Sequence, residues 1–356
     1  MAMEGLEIQG MGFRILLVGL GNRGRMWASI VGEVEGVELS GVVEVNPATL
    51  AAFGAGHPGV PRFADLAEAL AATTSDAVLL VTPPDSHLAQ AREIFAAGLP
   101  LLAEKPLTLD LAEAAEIVHL AHDVRLPLAV GLNFRYLPVS RKLRELVAAM
   151  AYGAPGFGQF TYQRNRDGRQ LHLNKYPLTM RHPMMLEQSI HHLDLIRFCY
   201  GREVESVLCR TWNPPWSMYA HDSNVSCLLR LTGGLEVNYL GTWTGGWNEL
   251  CFEWRTDCAG GVIVQRALFA DLAVACTADT TLTPVELAPC EPFYDDSAAL
   301  LRSFVTHVRD GAPLECSGAD HLITLALCFA AIESSETGRA VDMADFYSRA
   351  GIAIPT

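Results

Sequence analysis

The chain has 356 residues, half of them apolar and 19% charged, enough core material for about two domains and too apolar for a disordered chain. Its formal net charge of −14 excludes a basic nucleic-acid or anionic-membrane binder, because phosphate binding needs a basic face. Nine cysteines without a C-x-x-C pair, and a first ten residues without an apolar signal core, point to a reduced cytoplasmic protein with no disulfide framework and no metal site. No apolar run reaches the length of a membrane span. Only three of the 26 basic residues are lysines, Lys105, Lys142 and Lys175.

In chain order, short apolar runs over 13–19, 37–44, 60–63, 76–82, 99–103 and 127–132 alternate with helical patterns such as 86–97 and 109–122. Strands alternating with helices imply βαβ units and a Rossmann-type, doubly wound parallel sheet of the α/β class. The second half begins with a helical pattern over 183–200 that ends at Gly201. Strand-like runs follow at 203–212, 223–231, 235–243, 249–257 and 260–266, and two helical patterns, 298–310 and 319–337, close the chain. Consecutive strands without helices between them predict an open-faced, mainly antiparallel sheet in an α+β domain. The expected domains are 12–134 and 135–356, the last helices packing back on the junction.

The motif Gly19-Leu-Gly21-Asn22-Arg23-Gly24 follows the first strand and opens a helix. The first glycine serves the tight turn, the second close approach of a pyrophosphate, and the third helix–strand packing. The helix N-terminus adds N–H groups and a positive dipole end. Glu44, ending the second strand, can accept from the ribose hydroxyls of adenosine and repels a 2′-phosphate, so NAD is favoured over NADP.

Ligands of such a sheet sit beyond the carboxyl ends of its strands. Two segments lie there: Thr82-Pro83-Pro84-Asp85-Ser86-His87 and Ala103-Glu104-Lys105-Pro106. In the first, Ser86 or Asp85 can cap the next helix. In the second, the Lys105 ammonium can hydrogen-bond a substrate hydroxyl, stabilise alkoxide charge, or act as acid or base. Glu187 and His191 are four residues apart, so an α-helix places them within about 40° of one another; Asp194 falls near that face and His192 away from it. A carboxylate beside a histidine suits a general base, a surface pair or part of a metal site, the last disfavoured by the lack of H-x-H or H-x-x-x-H.

Together these motifs resemble the glucose–fructose oxidoreductase, inositol dehydrogenase and rhizopine-catabolism family. That family carries the glycine turn, a T-P-x-x-x-H loop, E-K-P at the fifth strand and a D-x-G-x-H-x-x-D helix. Here Glu187 stands in place of the first Asp and Ser189 in place of the glycine, so the carboxylate reaches one methylene further. The resemblance implies Lys105, Glu187 and His191 as the catalytic set. It implies a cofactor site of Gly19, Gly21, Asn22, Arg23, Gly24, Glu44, Thr82, Pro83, His87, Glu104 and Lys105. It further implies hydride transfer between NAD and a secondary alcohol or ketone of a sugar, inositol or other polyol held between the domains. Asn133, Arg135, Arg164, Tyr176, Arg181 and Asp194 are candidate substrate contacts, and Trp212, Trp216 and Trp243 candidate apolar walls. A homo-oligomer, dimer or tetramer, through the second sheet is also implied. Some relatives instead cleave glycosides through transient use of NAD, and a few proteins of this fold are nucleotide-sensing regulators.

Overall fold

The computed structural model describes residues 12–171 and 173–352. The first ten residues, read above for a signal, and 353–356 of the expected second domain lie outside them. The chain divides into two compact units. One holds the described residues up to Gly131 together with Ser297–Asp320; the other holds Leu132–Asp296 and the described residues from His321 onward.

The first unit is built on six parallel strands in the order β3-β2-β1-β4-β5-β6, namely β1 (Phe13–Val18), β2 (Val37–Val43), β3 (Arg62–Phe63), β4 (Ala77–Leu80), β5 (Leu101–Ala103) and β6 (Leu128–Val130). Helices α1 (Asn22–Glu33), α2 (Pro47–Gly56), α3 (Leu66–Ala72), α4 (His87–Ala96) and α5 (Leu111–Val124) connect them. The central strands read as unbroken apolar runs because both faces are covered: all four residues of β4 and five of the six in β1 are buried. The order reverses between β1 and β4, so the loops after these two strands diverge and leave a crevice at their carboxyl ends. Ser86 occupies the N-cap position of α4, but its hydroxyl donates to Pro83 O and bonds Thr82 and Gln90, so neither expected cap forms there.

The second unit carries helix α6 (Pro138–Ala148) and a nine-stranded sheet. Its central strands are β7 (Pro155–Gln163), β8 (Val204–Trp212), β9 (Asn224–Leu231), β10 (Leu235–Thr242), β11 (Cys251–Cys258), β12 (Gly261–Ala267) and β13 (Ala270–Cys276). The short β14 (Thr283–Pro284) and β15 (Val341–Asp342) form its edges. Every pair is antiparallel except β7–β10. Sequence patterning missed β7, whose Pro155, Gly156 and Gly158 are poor strand formers; the sheet accepts it because β10 and β11 pair with it on either side. On β9, Val225, Cys227, Leu229 and Leu231 point inward while Ser226, Leu228 and Arg230 point out. Helices α8 (Asp295–Asp310), α9 (Gly318–Thr337) and α10 (Met343–Ala350) complete the chain.

The helix expected over 183–200 is not uniform. Met184–Ser189 forms a π-helical turn, in which Ile190 N–H reaches back five residues to Met185 O, and α7 (Ile190–Tyr200) continues from it. All eleven residues of α7 are buried, so this helix is core and not surface.

Candidate functional site

In the first unit, Gly19 ends β1 with φ +98°, and a Cβ there would lie 2.8 Å from Val81 O. A Cβ on Gly24 would lie 2.0 Å from Gly19 O, so α1 crosses the turn at backbone contact. Both glycines are demanded by the protein's own packing. Gly21 differs: a Cβ there would meet no atom within 4 Å. It is the N-cap of α1 and has no side chain to cap the helix. The turn therefore fits an anionic group brought against backbone, as the pyrophosphate of NAD requires. Glu44 faces the same turn. Its Oε2 accepts from Leu20 N at 2.8 Å and its Oε1 from Asn46 N at 2.8 Å, which fixes the carboxylate where ribose hydroxyls can share it.

Several residues expected at the cofactor also have partners within the fold. The Arg23 guanidinium turns inward, donating to Glu104 Oε1 at 2.6 Å and Ser297 Oγ at 2.9 Å, and stacks over Trp27. Glu104 also accepts from Trp27 Nε1 at 2.6 Å. Burial alone would raise the Glu104 carboxyl, but the charge and hydrogen bond of Arg23, then Trp27 and Lys105, outweigh it and hold the group below the usual carboxylate range. His87 is 1% exposed, with Nδ1 2.8 Å from Leu107 O and Nε2 2.9 Å from Thr82 O, so it sits between the loop after β4 and the loop after β5. Burial pushes its imidazole below the ordinary histidine range, against the pull of the two carbonyls. Thr82 Oγ1 donates to Gln90, and Pro83 is exposed beside it. Asn22 opens α1, where its Oδ1 accepts from Arg25. Lys105 is half-buried after β5, on the segment that Glu104 and His87 brace, and its peptide bond to Pro106 is cis.

In the second unit, Glu187 lies on the π turn and His191 in the first turn of α7. The expected 40° separation assumed α geometry throughout, and the wider i→i+5 turn changes it. His191 is 7% exposed and stacks on Phe134 at 4.3 Å between ring centroids. His192 faces the opposite way, into the sheet among Phe160, Tyr162 and Tyr239. Asp194 is not a substrate contact: its carboxylate grips Arg135 through both oxygens and accepts from Thr324 at 3.0 Å. The same fork removes Arg135, 4% exposed, from the substrate candidates, and Asn133 is buried and donates to Asp296. Trp243 is 1% exposed under Arg166 and Tyr219, so it is core and not a wall. Arg164, Tyr176 and Arg181 are exposed, as are Trp212 and Trp216. Phe134, Trp27 and Tyr239 carry no local signal, because their roles depend on contacts far along the chain. Among the described residues, no cluster of three or more His, Cys, Asp or Glu is placed to hold a metal ion.

A 3-2-1-4-5-6 sheet with this glycine turn and an acidic second-strand end defines a dinucleotide-binding fold. Comparison with known proteins makes the class specific. Residues 13–132 match the model of an oxidoreductase family with an NAD-binding Rossmann fold, and 140–259 match the GFO/IDH/MocA C-terminal domain. Inositol 2-dehydrogenase of Leifsonia xyli subsp. xyli is 34% identical over 54% of this chain and 56% of its own. D-apiose dehydrogenase of Paraburkholderia graminis is 25% identical over 93% of this chain and 90% of its own. An Agrobacterium radiobacter oxidoreductase, solved with NAD+, L-tartaric acid and magnesium, superposes with a TM-score of 0.85 at 22% identity, covering 94% and 99% of the two chains. The chain belongs to the GFO/IDH/MocA family of NAD-binding oxidoreductases. No helix among the described residues is long and apolar enough to cross a membrane.

Proposed function

We propose that this protein oxidises a secondary hydroxyl of a sugar, inositol or related polyol to the ketone, and runs the reverse reduction, with Lys105, Glu187 and His191 as its catalytic groups. The observation that carries the reading is the glycine turn with Glu44 anchored across it, in a chain that also holds a half-buried lysine directly after β5. Inositol and apiose dehydrogenases among its relatives support the substrate class.

Bound NAD supplies the hydride acceptor. Gly21 admits its pyrophosphate, and Glu44 accepts from its ribose and disfavours a 2′-phosphate. His191 takes the hydroxyl proton as the C–H bond gives up its hydride, and releases it to solvent afterwards. Lys105 is the group proposed to hydrogen-bond a substrate hydroxyl and stabilise developing alkoxide charge. Glu187 is proposed to orient the histidine. Arg164, Tyr176 and Arg181 remain candidates for substrate contact.

All nine cysteines are free, which supports a reducing, cytoplasmic setting. The open face of the sheet presents Phe157, Leu208 and Leu228, each more than two-fifths exposed, and supports a homodimer or tetramer.

The test is NADH formation across a panel of inositols, aldoses, ketoses and sugar acids. Turnover on at least one of them is expected. Silence on the whole panel, with aryl-glycoside release in the presence of NAD, would replace this reading by a glycosidase. Silence in both assays with intact NAD binding would leave a nucleotide-sensing regulator.

A further inference from the structure

Beneath the π turn, four side chains form a hydrogen-bonded circuit that the proposed reaction does not use. Tyr239 Oη donates to Ser189 Oγ at 2.8 Å and lies 2.9 Å from His192 Nδ1, and His192 Nε2 lies 3.1 Å from Gln188 Nε2. Tyr239, Ser189 and His192 are each at most 1% exposed. We propose that Tyr239 is a positioning residue, its hydroxyl locking the π turn that presents Glu187 and His191. The inference rests on the catalytic roles proposed above.

The proton count shows how fully the circuit is determined. A phenol has one proton, and it goes to Ser189. The phenol oxygen must then accept from His192 Nδ1–H, which leaves Nε2 as an acceptor for the Gln188 amide. With the Gln188 amide nitrogen toward the ring, a neutral imidazole completes the circuit, and burial pushes His192 down to about 3. Room for the hydroxyl comes from Gly241, where a Cβ would lie 2.2 Å from Tyr239 Oη and 2.5 Å from Met184 Cε.

The clamped positions, 188, 189 and 192, interleave with 187 and 191. A π turn is rarer than the α turn it replaces, so something must hold it. Once the hydroxyl is lost, the segment is free to relax toward α geometry, and Glu187 rotates relative to His191. Ser189 is where the clamp grips the turn, and a glycine there would offer it no hydroxyl. The serine and the longer carboxylate of Glu187 thus belong to one device.

The test uses the full-length enzyme with NAD and its best substrate from the panel. Tyr239→Phe keeps the ring and removes the hub. Expected are a kcat lowered about tenfold, with the KM for NAD within about twofold, and a displaced pH profile of kcat. His192→Asn, whose amide N–H can replace Nδ1–H, should stay within about threefold of wild type, while His192→Leu should match Tyr239→Phe. Amide hydrogen exchange over 185–190 should lose protection in Tyr239→Phe. This arm needs no substrate, so an inactive wild type sinks the functional reading while the lock is still tested. Unchanged protection, or an unchanged kcat and pH profile in Tyr239→Phe, would overturn the proposal. If that variant fails to fold, Ser189→Ala carries the same readouts.

Discussion

The two units build their functional residues by opposite means. In the first, the working surface is largely main chain: a glycine turn, a helix N-terminus and strand ends, with side chains such as Arg23, Glu104 and His87 spent on bracing the loops. In the second, the proposed working groups are side chains on the π turn and the start of α7, and a sheet strand far along the chain supplies the brace. A backbone site fails when a Cβ is added. A side-chain site fails when a distant hydrogen bond is removed.

The largest effect should come from the first unit's only proposed catalytic side chain. Lys105→Met should lower kcat about 10²- to 10⁴-fold while NAD affinity, read by titration, changes less than about twofold. A full-rate variant would reduce that unit to a nucleotide holder. Next comes a pair of glycines. Gly24→Ala drives a Cβ into Gly19 O and should cost about 3 kcal/mol or more, a fall in Tm of roughly 6–12 °C. Gly21→Ala meets no protein atom, so its Tm should stay within about 2 °C while NAD affinity falls about tenfold. Equal melting losses in the two variants would erase the distinction between packing and ligand glycines.

Glu104→Gln leaves the Arg23 guanidinium without its charge partner. The pair is mostly buried, with 23% and 11% of the two side chains exposed, so the cost should be about 2–3 kcal/mol. Because the folded Glu104 is held below its unfolded value, its contribution is full above about pH 4.3 and is lost as pH falls through the lower, folded value. The Tm gap between wild type and Glu104→Gln should therefore close in acid.

The smallest effect concerns His192. Held at about 3 in the fold against about 6.5 unfolded, it contributes stability above pH 6.5 that is lost progressively on acidification, by up to about 1.4 kcal/mol per pH unit. His192→Asn should flatten the stability profile between pH 6.5 and 5, measured by urea unfolding. An unaltered slope would mean that the ring protonates in place.

Legibility in the sequence follows the same division. Gly19 and Gly24 could be read because their requirement is local, a left-handed turn and a helix crossing five residues later. The carboxylate of Glu44 could be read because strand order delivers it to that turn. The bracing role of Glu104 could not be read because its partners, Arg23 and Trp27, lie 81 and 77 residues away. Asp194 falls on the expected helix face, yet its charge is met by Arg135, 59 residues back. The π turn is silent in the sequence because Gln188 and Ser189 suit an α-helix equally well, and the phenol that clamps them lies 50 residues on.

The parallel β7–β10 pair has a consequence for biosynthesis. β7 is the first strand of its sheet to leave the ribosome, yet both its neighbours, β10 and β11, are encoded later. At typical translation speeds, the stretch of about 70 residues between β7 and β10 takes roughly 4–14 s to make. For that interval a nascent strand bearing Phe157, Phe160 and Tyr162 has no partner on either edge. A ribosome stalled between the two strands would leave both edges of that strand unpaired.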